Sequence, residues 1–226
     1  MSLFSNINRC CCCKILFLNI YSYHKIGNQT WMTKNLVWLP SVSQLTTNST
    51  TDKLYYVYGY DGTDVAAAKA NDRYTTYGVL YNWPAAIAAC PAGWPLPSGA
   101  EWKILEKFLG MSAATADSVG PRFSGDVGGK LKEAGTSHWQ LPNRGTTNSS
   151  GFTALPGGWR GLDESDLFFN KFRGILYVSS FWSSTVYEIN SGYAYGRYVL
   201  YSHALIGRIP SIDPKSNGYA VRCIKD

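Results

Sequence analysis

Cys90-Pro91-Ala92-Gly93-Trp94-Pro95-Leu96-Pro97-Ser98-Gly99-Ala100-Glu101-Trp102 (CPAGWPLPSGAEW) carries the sharpest local signals in this chain. Pro91, Pro95 and Pro97 fix φ and deny the helical conformation to the residues before them, so the run predicts a rigid extended loop. It ends in a helix start. Ser98 and Glu101 stand at capping-box spacing, where each side chain can accept from the other residue's orphan amide. Trp102, Leu105 and Leu109 then fall on one face of a 3.6-residue repeat, and Gly110 supplies the stop. Upstream, Pro84-Ala85-Ala86-Ile87-Ala88-Ala89 predicts a shorter helix, starting at Asn82 or Trp83 with Pro84 in its first turn and stopped by Pro91. Two short helices are thereby fixed at a definite angle.

On either side, the pattern is of short strands broken by turn chemistry. Lys25 to Leu36 (KIGNQTWMTKNL) predicts a hairpin, with Gly27 and Asn28 as the positive-φ residues of a two-residue turn. Pro40 to Asp72 is rich in Thr, Ser, Asp and Tyr and reads as an irregular excursion. After Met111 the chain is glycine- and serine-rich through Gly151, with Leu131 and Trp139 as its apolar anchors, and Leu141-Pro142-Asn143 reads as a turn. Strands return at Gly151 to Arg160, Val178 to Val186, Tyr193 to Leu200 and Gly218 to Ile224. Trp94, Trp102, Trp159 and Trp182 are the expected core aromatics. No segment repeats. The expected class is α+β: two short helices, short antiparallel strands and long irregular loops.

The 226 residues suit one domain, taken as residues 25–226, which buries roughly 70% of its unfolded surface and needs no dense cross-linking. Residues 1–24 read differently, as a leader or irregular N-terminal segment: Cys10 to Cys13 form an unbroken run, followed by a short apolar stretch from Ile15 to Ile20. That stretch is too short to span a bilayer, which takes about 20 apolar residues. No membrane insertion by the folded domain is expected. Adjacent cysteines are also poorly placed for bridging or for tetrahedral metal binding. Two cysteines, Cys90 and Cys223, remain in the body. The net charge of +6 could suit nucleic acid, but Lys and Arg are scattered singly, which points away from it. Only 16% of residues are charged, against 16 Tyr, 8 Trp, 9 Phe and 22 Gly, a composition that suits either a recognition surface or an aromatic core under glycine-rich loops.

Read together, Thr76 to Trp83 (TYGVLYNW), Cys90 to Trp102, Gly151 to Arg160 (GFTALPGGWR), Phe181 to Thr185 (FWSST) and Gly218 to Asp226 (GYAVRCIKD) resemble the Fibrobacter succinogenes major paralogous domain family. Pro95 departs from the histidine expected in that family's GWHLP block. The family is similar to C-type-lectin-like domains, which implies such a fold here, closed by a cysteine pair, Cys90 with Cys223. The bridge would enclose a loop of 133 positions, stabilise by roughly 5 kcal/mol on the chain-entropy model, and imply an oxidising compartment. The other reading is two unrelated thiols.

A catalytic role is not expected. The histidines are His24, His138 and His203, and none sits in a nucleophile motif. The resemblance extends to formylglycine-generating enzymes, whose reactive cysteines have no counterpart once Cys90 and Cys223 are bridged. An E-P-N-like calcium–sugar triplet is missing, so neither metal nor cofactor is expected. Tyr201 to Asp213 follows neither strand alternation nor turn chemistry. Its mixture resembles the variable positions of retroelement-diversified proteins, which share this fold; the alternative is an ordinary loop. The expected binding face comprises Tyr193, Tyr195, Tyr198, Tyr201, Ser202, His203, Leu205, Ile206, Arg208, Ile209, Ser211 and Asp213. Arg197 and Arg208 could instead pack structurally over aromatic rings. These readings imply a non-catalytic module on a cell surface or virion, binding a protein or glycan on another surface. A structural or adhesive envelope component is the alternative.

Overall fold

A computed structural model describes residues 21–122, 125–162, 170–209 and 214–226. The cysteine run, the apolar stretch from Ile15 to Ile20, and Ser211 and Asp213 of the expected face lie outside the described residues. The predicted hairpin forms from β1 (Tyr23–Ile26) and β2 (Gln29–Met32), paired in register from Tyr23↔Met32 to Ile26↔Gln29. Only Gly27 of its turn has positive φ, 60°; Asn28 does not, contrary to expectation. Glycine at the first central position alone is the type II′ pattern, which needs no left-handed conformation at the second.

The stretch from Pro40 to Asp72 is more ordered than its composition suggests. It contains β3 (Tyr55–Tyr56) and α1 (Val65–Lys69), and α2 (Asp72–Tyr77) follows. Asp64 and Asn71 start these helices as side-chain caps, a local signal that polar residues in a loop-like stretch conceal. Next come β4 (Leu80–Tyr81), which pairs with β3, then α3 (Trp83–Ala89), capped by Asn82, and α4 (Gly99–Phe108). In α4 both halves of the expected capping box are present: Ser98 Oγ accepts from the Glu101 amide, and Glu101 Oε2 from the Ser98 amide at 2.6 Å. The glycine-rich stretch after Met111 holds α5 (Ala113–Asp117), β5 (Gly120–Pro121) and α6 (Val127–Leu131). The described residues thus contain six helices rather than two.

The main sheet has the order β5-β10-β9-β8-β6-β7, formed with β6 (Gly157–Leu162), β7 (Asn170–Ile175), β8 (Val178–Val186), β9 (Ala194–Leu200) and β10 (Ile206–Ile209). Its pairings are antiparallel except β6 with β8. Strand alternation puts a different apolar cluster on each face. Phe181, Val199 and Ile206 join Trp31, Trp102 and Phe152 on one side, whereas Trp182 on the other joins Tyr81, Tyr219 and the α3 alanines. Trp94, Trp102 and Trp182 are core as expected, but Trp159 is only half-buried, a correction explained by its position near the sheet edge formed by β6 and β7.

The last segment is no ordinary strand. Every residue from Ser216 to Ile224 is buried, and its pairings are isolated bridges to four different partners: Gly218 to Arg160, Tyr219 to Tyr81, Ala220 to Phe181 and Ile224 to Trp31. Cys223 is disulfide-bonded to Cys90, with Cα atoms 5.9 Å apart. Replacing both cysteines by alanine should lower stability by about 3–5 kcal/mol in a denaturant titration, with the fold retained in strong native conditions. A loss under about 1 kcal/mol would contradict this anchoring role.

Burial pushes the Tyr56 hydroxyl up to about 12, and that hydroxyl donates to the Thr47 carbonyl at 2.8 Å. Above pH 10 the unfolded chain loses this proton while the native chain keeps it, so the contribution of Tyr56 to stability is full below pH 10 and disappears toward pH 12. The stability advantage of wild type over Tyr56→Phe should therefore be constant up to about pH 9 and shrink from pH 10 upward, as measured by urea unfolding at each pH. A difference that stays flat would contradict it.

Candidate functional site

The expected binding face is divided by the sheet. Ile206 pairs with Val199, Gly207 with Tyr198 and Arg208 with Arg197. Cross-strand partners share a face, so Ile206 and Arg208 lie with Val199 and Arg197 on the α4 side, and Gly207 with Tyr198 on the other. Ile206 is 1% exposed and belongs to the core, which removes it from the binding face. Tyr195, 5% exposed, is also withdrawn. A single outward face cannot hold residues of both parities on one strand, which corrects the expectation for Ile206 and Tyr195.

On the α4 side Arg197 is structural. Its Nε donates to Glu106 Oε1 at 2.5 Å, and Arg122 grips the same carboxylate through two bonds of 2.6 Å. All three side chains are buried, and the Arg197 guanidinium lies 5.9 Å from the Trp102 ring centre. Desolvation first, and then repulsion from Arg122 and Arg208, holds Arg197 down at about 10 against the pull of Glu106. Arg208 is half-buried, 3.9 Å from the Tyr195 ring centre, with Nη1 donating to the Asp117 carbonyl, which matches the expected packing over an aromatic ring. Tyr195 in turn donates to Glu188 Oε2. Tyr193 stands apart, half-buried and bridged to Pro214, and Ile209 ends β10.

The remaining residues converge on the β9–β10 turn. Tyr198, His203 and Leu205, with Pro121, Leu200 and Gly207, line a notch of about 150 Å³. The Tyr198 ring lies over Gly207, where a Cβ would collide with the ring as it stands. Tyr201 stacks edge-on against Tyr177, centroids 5.0 Å apart; Ser202 is partly exposed and His203 exposed.

What fixes this turn is its own main chain. Lys132 Nζ, itself buried, donates to the carbonyls of Leu200, His203 and Arg144 at 2.9–3.1 Å. The Arg144 amide donates to the Tyr201 carbonyl, and the Gly129 amide to that of Ala204. Gly128 and Gly129 allow this approach: a Cβ on Gly128 would collide with the Leu205 carbonyl, and one on Gly129 with the Gly145 carbonyl. Desolvation pushes the Lys132 ammonium down to about 8, which three carbonyl acceptors only partly offset. Lys132 and the Gly128-Gly129 pair escaped the sequence reading. Paired glycines inside a helix are a usable sign of close backbone contact; a lone lysine among glycines carries none.

This geometry defines a mixed α+β domain whose closing segment is enclosed by its own sheet and whose β9–β10 turn is bonded through its backbone. A family model, the Fibrobacter succinogenes major domain, matches residues 25–225, and the chain belongs to that family. Searches of curated proteins and of solved structures returned no match.

Lys132→Met keeps the bulk of the stem but strands three carbonyls, and should cost about 3 kcal/mol. Amide exchange should accelerate first at Tyr201, His203 and Gly129. The native lysine also binds its proton less tightly than the unfolded one, so wild type should gain stability relative to the variant as pH rises from about 8 toward 10.5. Exchange that accelerates uniformly across the domain would show that Lys132 does not act on the turn.

Proposed function

We propose that this chain is a non-catalytic binding module with a C-type-lectin-like fold, exported to an oxidising environment and displayed on a cell surface or virion. The β9–β10 turn meets a protein or glycan ligand. The observation that carries this reading is the separation of roles in that turn: the carbonyls of Leu200, Tyr201, His203 and Ala204 are all engaged, while the side chains of Ser202 and His203 project to solvent. Hydrogen bonds to carbonyls do not depend on side-chain identity, so the turn keeps its shape as its residues change. Such a support suits a retroelement-diversified surface.

The Cys90–Cys223 bridge supports the lectin-like and exported readings, since it joins the segment before α4 to the closing segment in the way the resemblance implies. Among the described residues no helix is long and apolar enough to cross a membrane.

Randomising Tyr198, Tyr201, Ser202, His203 and Leu205 together in a displayed library tests this. Most members should fold, scored by protease resistance, and selection against varied protein and glycan targets should enrich different sequences for different targets. Randomising Trp102, Phe152, Phe181, Val199 and Ile206 serves as the contrast and should leave few folded members. If the two libraries fold equally rarely, the turn is not an adaptable surface and the reading fails.

A further inference from the structure

Between the stretch that follows β2, the end of α2 and the loops at residues 133–138 and 153–155 lies a cleft of about 450 Å³. That is within the range of roughly 300–1,000 Å³ typical of small-ligand pockets. It contains none of the residues assigned to the β9–β10 turn.

Its construction is the first point. A single guanidinium holds two of its walls. Arg222 is buried and, among the described residues, has no carboxylate partner; it donates through Nε to Asn35 Oδ1 at 2.7 Å, through Nη1 to the carbonyls of Met32 and Phe152, and through Nη2 to that of Thr153. Asn35 passes the constraint on by donating to the Tyr77 carbonyl at 2.8 Å, which fixes the end of α2. The Glu133 amide donates to the Ala154 carbonyl, which brings in the last wall. Thr153 has φ 55°, a left-handed conformation that a β-branched residue adopts only under compulsion. The compulsion is visible: Asn148 bonds both its amide and its hydroxyl, and Arg222 its carbonyl. Strain held in this way is concentrated at functional sites.

Its chemistry is the second point. Thr33, Thr75, Thr76 and Thr153 line the cleft beside Val37 and Leu155; the Thr153 hydroxyl is held by Asn148 and that of Thr33 bonds Ser22. His138 Nδ1 lies 2.8 and 3.0 Å from the two Glu133 carboxylate oxygens, and its ring stands edge-on to Tyr77. The Glu133 bond orients the imidazole and leaves Nε2 uncommitted to it. Lys34 adds a donor at an exposed rim. Donors and acceptors of both kinds are therefore interleaved with C–H surface. A ligand complementary to that has hydroxyls on a compact apolar ring. A small anion would use the donors but would face Glu133; a purely apolar ligand would leave Thr75, Thr76 and the Glu133–His138 pair unmatched.

We propose that this cleft is a second binding site, which takes a polyhydroxylated ligand the size of one or two sugar rings. It is independent of the β9–β10 turn and goes beyond the reading given for it.

The test is a titration of the isotope-labelled domain, followed by amide chemical shifts, with glucose, galactose, N-acetylglucosamine and cellobiose, and with citrate and inorganic phosphate as anion controls. Saturable shifts at Thr76, Gly78, His138 and Thr153 are expected with at least one of the sugars. Thr76→Val and His138→Gln, both at positions that are not buried, should each weaken that sugar about tenfold, the loss of one to two hydrogen bonds. Their spectra report retention of fold, and substitutions at Tyr198 and His203 should leave the affinity unchanged. Absence of saturable shifts with every sugar, a response to the anions alone, or unaltered affinity in both cleft variants would each overturn the proposal.

Discussion

The enclosure of the final segment governs this structure. From Ser216 to Ile224 the chain passes through the interior, so each of its backbone polar groups has to find a partner there. No single strand supplies them. The carbonyl of Cys223 accepts from Met32, that of Val221 from Leu36, that of Tyr219 from Tyr81, that of Ala220 from Trp182 and that of Gly218 from Arg160. Elements from both ends of the chain are thereby required around one strip of backbone, and the disulfide to Cys90 fixes that strip covalently. The two apolar clusters form on either side of it: Val221 belongs to one, Ala220 and Ile224 to the other.

A second constraint is the use of buried cations. Arg160 donates to the carbonyls of Leu45, Thr47 and Ser216 and to the Asn48 side chain, Arg222 to three carbonyls and Asn35, and Lys132 to three carbonyls. Each also lies against an aromatic ring, those of Tyr56, Phe152 and Trp139. Loops without regular structure have carbonyls left over, and a long cationic side chain with several donors can satisfy a cluster of them at once. The energetic cost is visible in the downward shifts of Arg222, Arg160 and Lys132, all caused first by desolvation. What is obtained in exchange is irregular backbone with a fixed shape, which both the β9–β10 turn and the Thr153 wall of the cleft display.

Signals confined to a few neighbouring residues were legible in the sequence. The hairpin at Gly27, the capped helix at Ser98 and Glu101, the Asn82 cap and the turn at Leu141 to Asn143 depend on partners close by in the chain, and all are present. The cysteine pair and the family were legible from blocks whose order, more than any one block, is distinctive. Short capped helices within polar stretches were not, because their caps look like loop residues. The conformation of the Tyr201 to Asp213 run was not legible: its composition suggests an irregular segment, whereas Ile206 to Ile209 form a strand, and alternation turns Ile206 inward.

The amino-acid sequence alone determined where the chain turns, where its helices begin, which cysteines remain to be paired and which family it belongs to, since these rest on local dihedral preferences and on residue order. The tertiary structure decided which apolar cluster each residue of β9 and β10 joins, that Lys132 holds the turn, and that Arg222 braces the walls of a polar cleft. Those contacts join residues 68 and 71 positions apart in the first case and 69 to 190 in the second. A hydrogen bond between one side chain and a distant carbonyl imposes no periodicity and no spacing on the sequence, and so becomes visible only when the chain is folded.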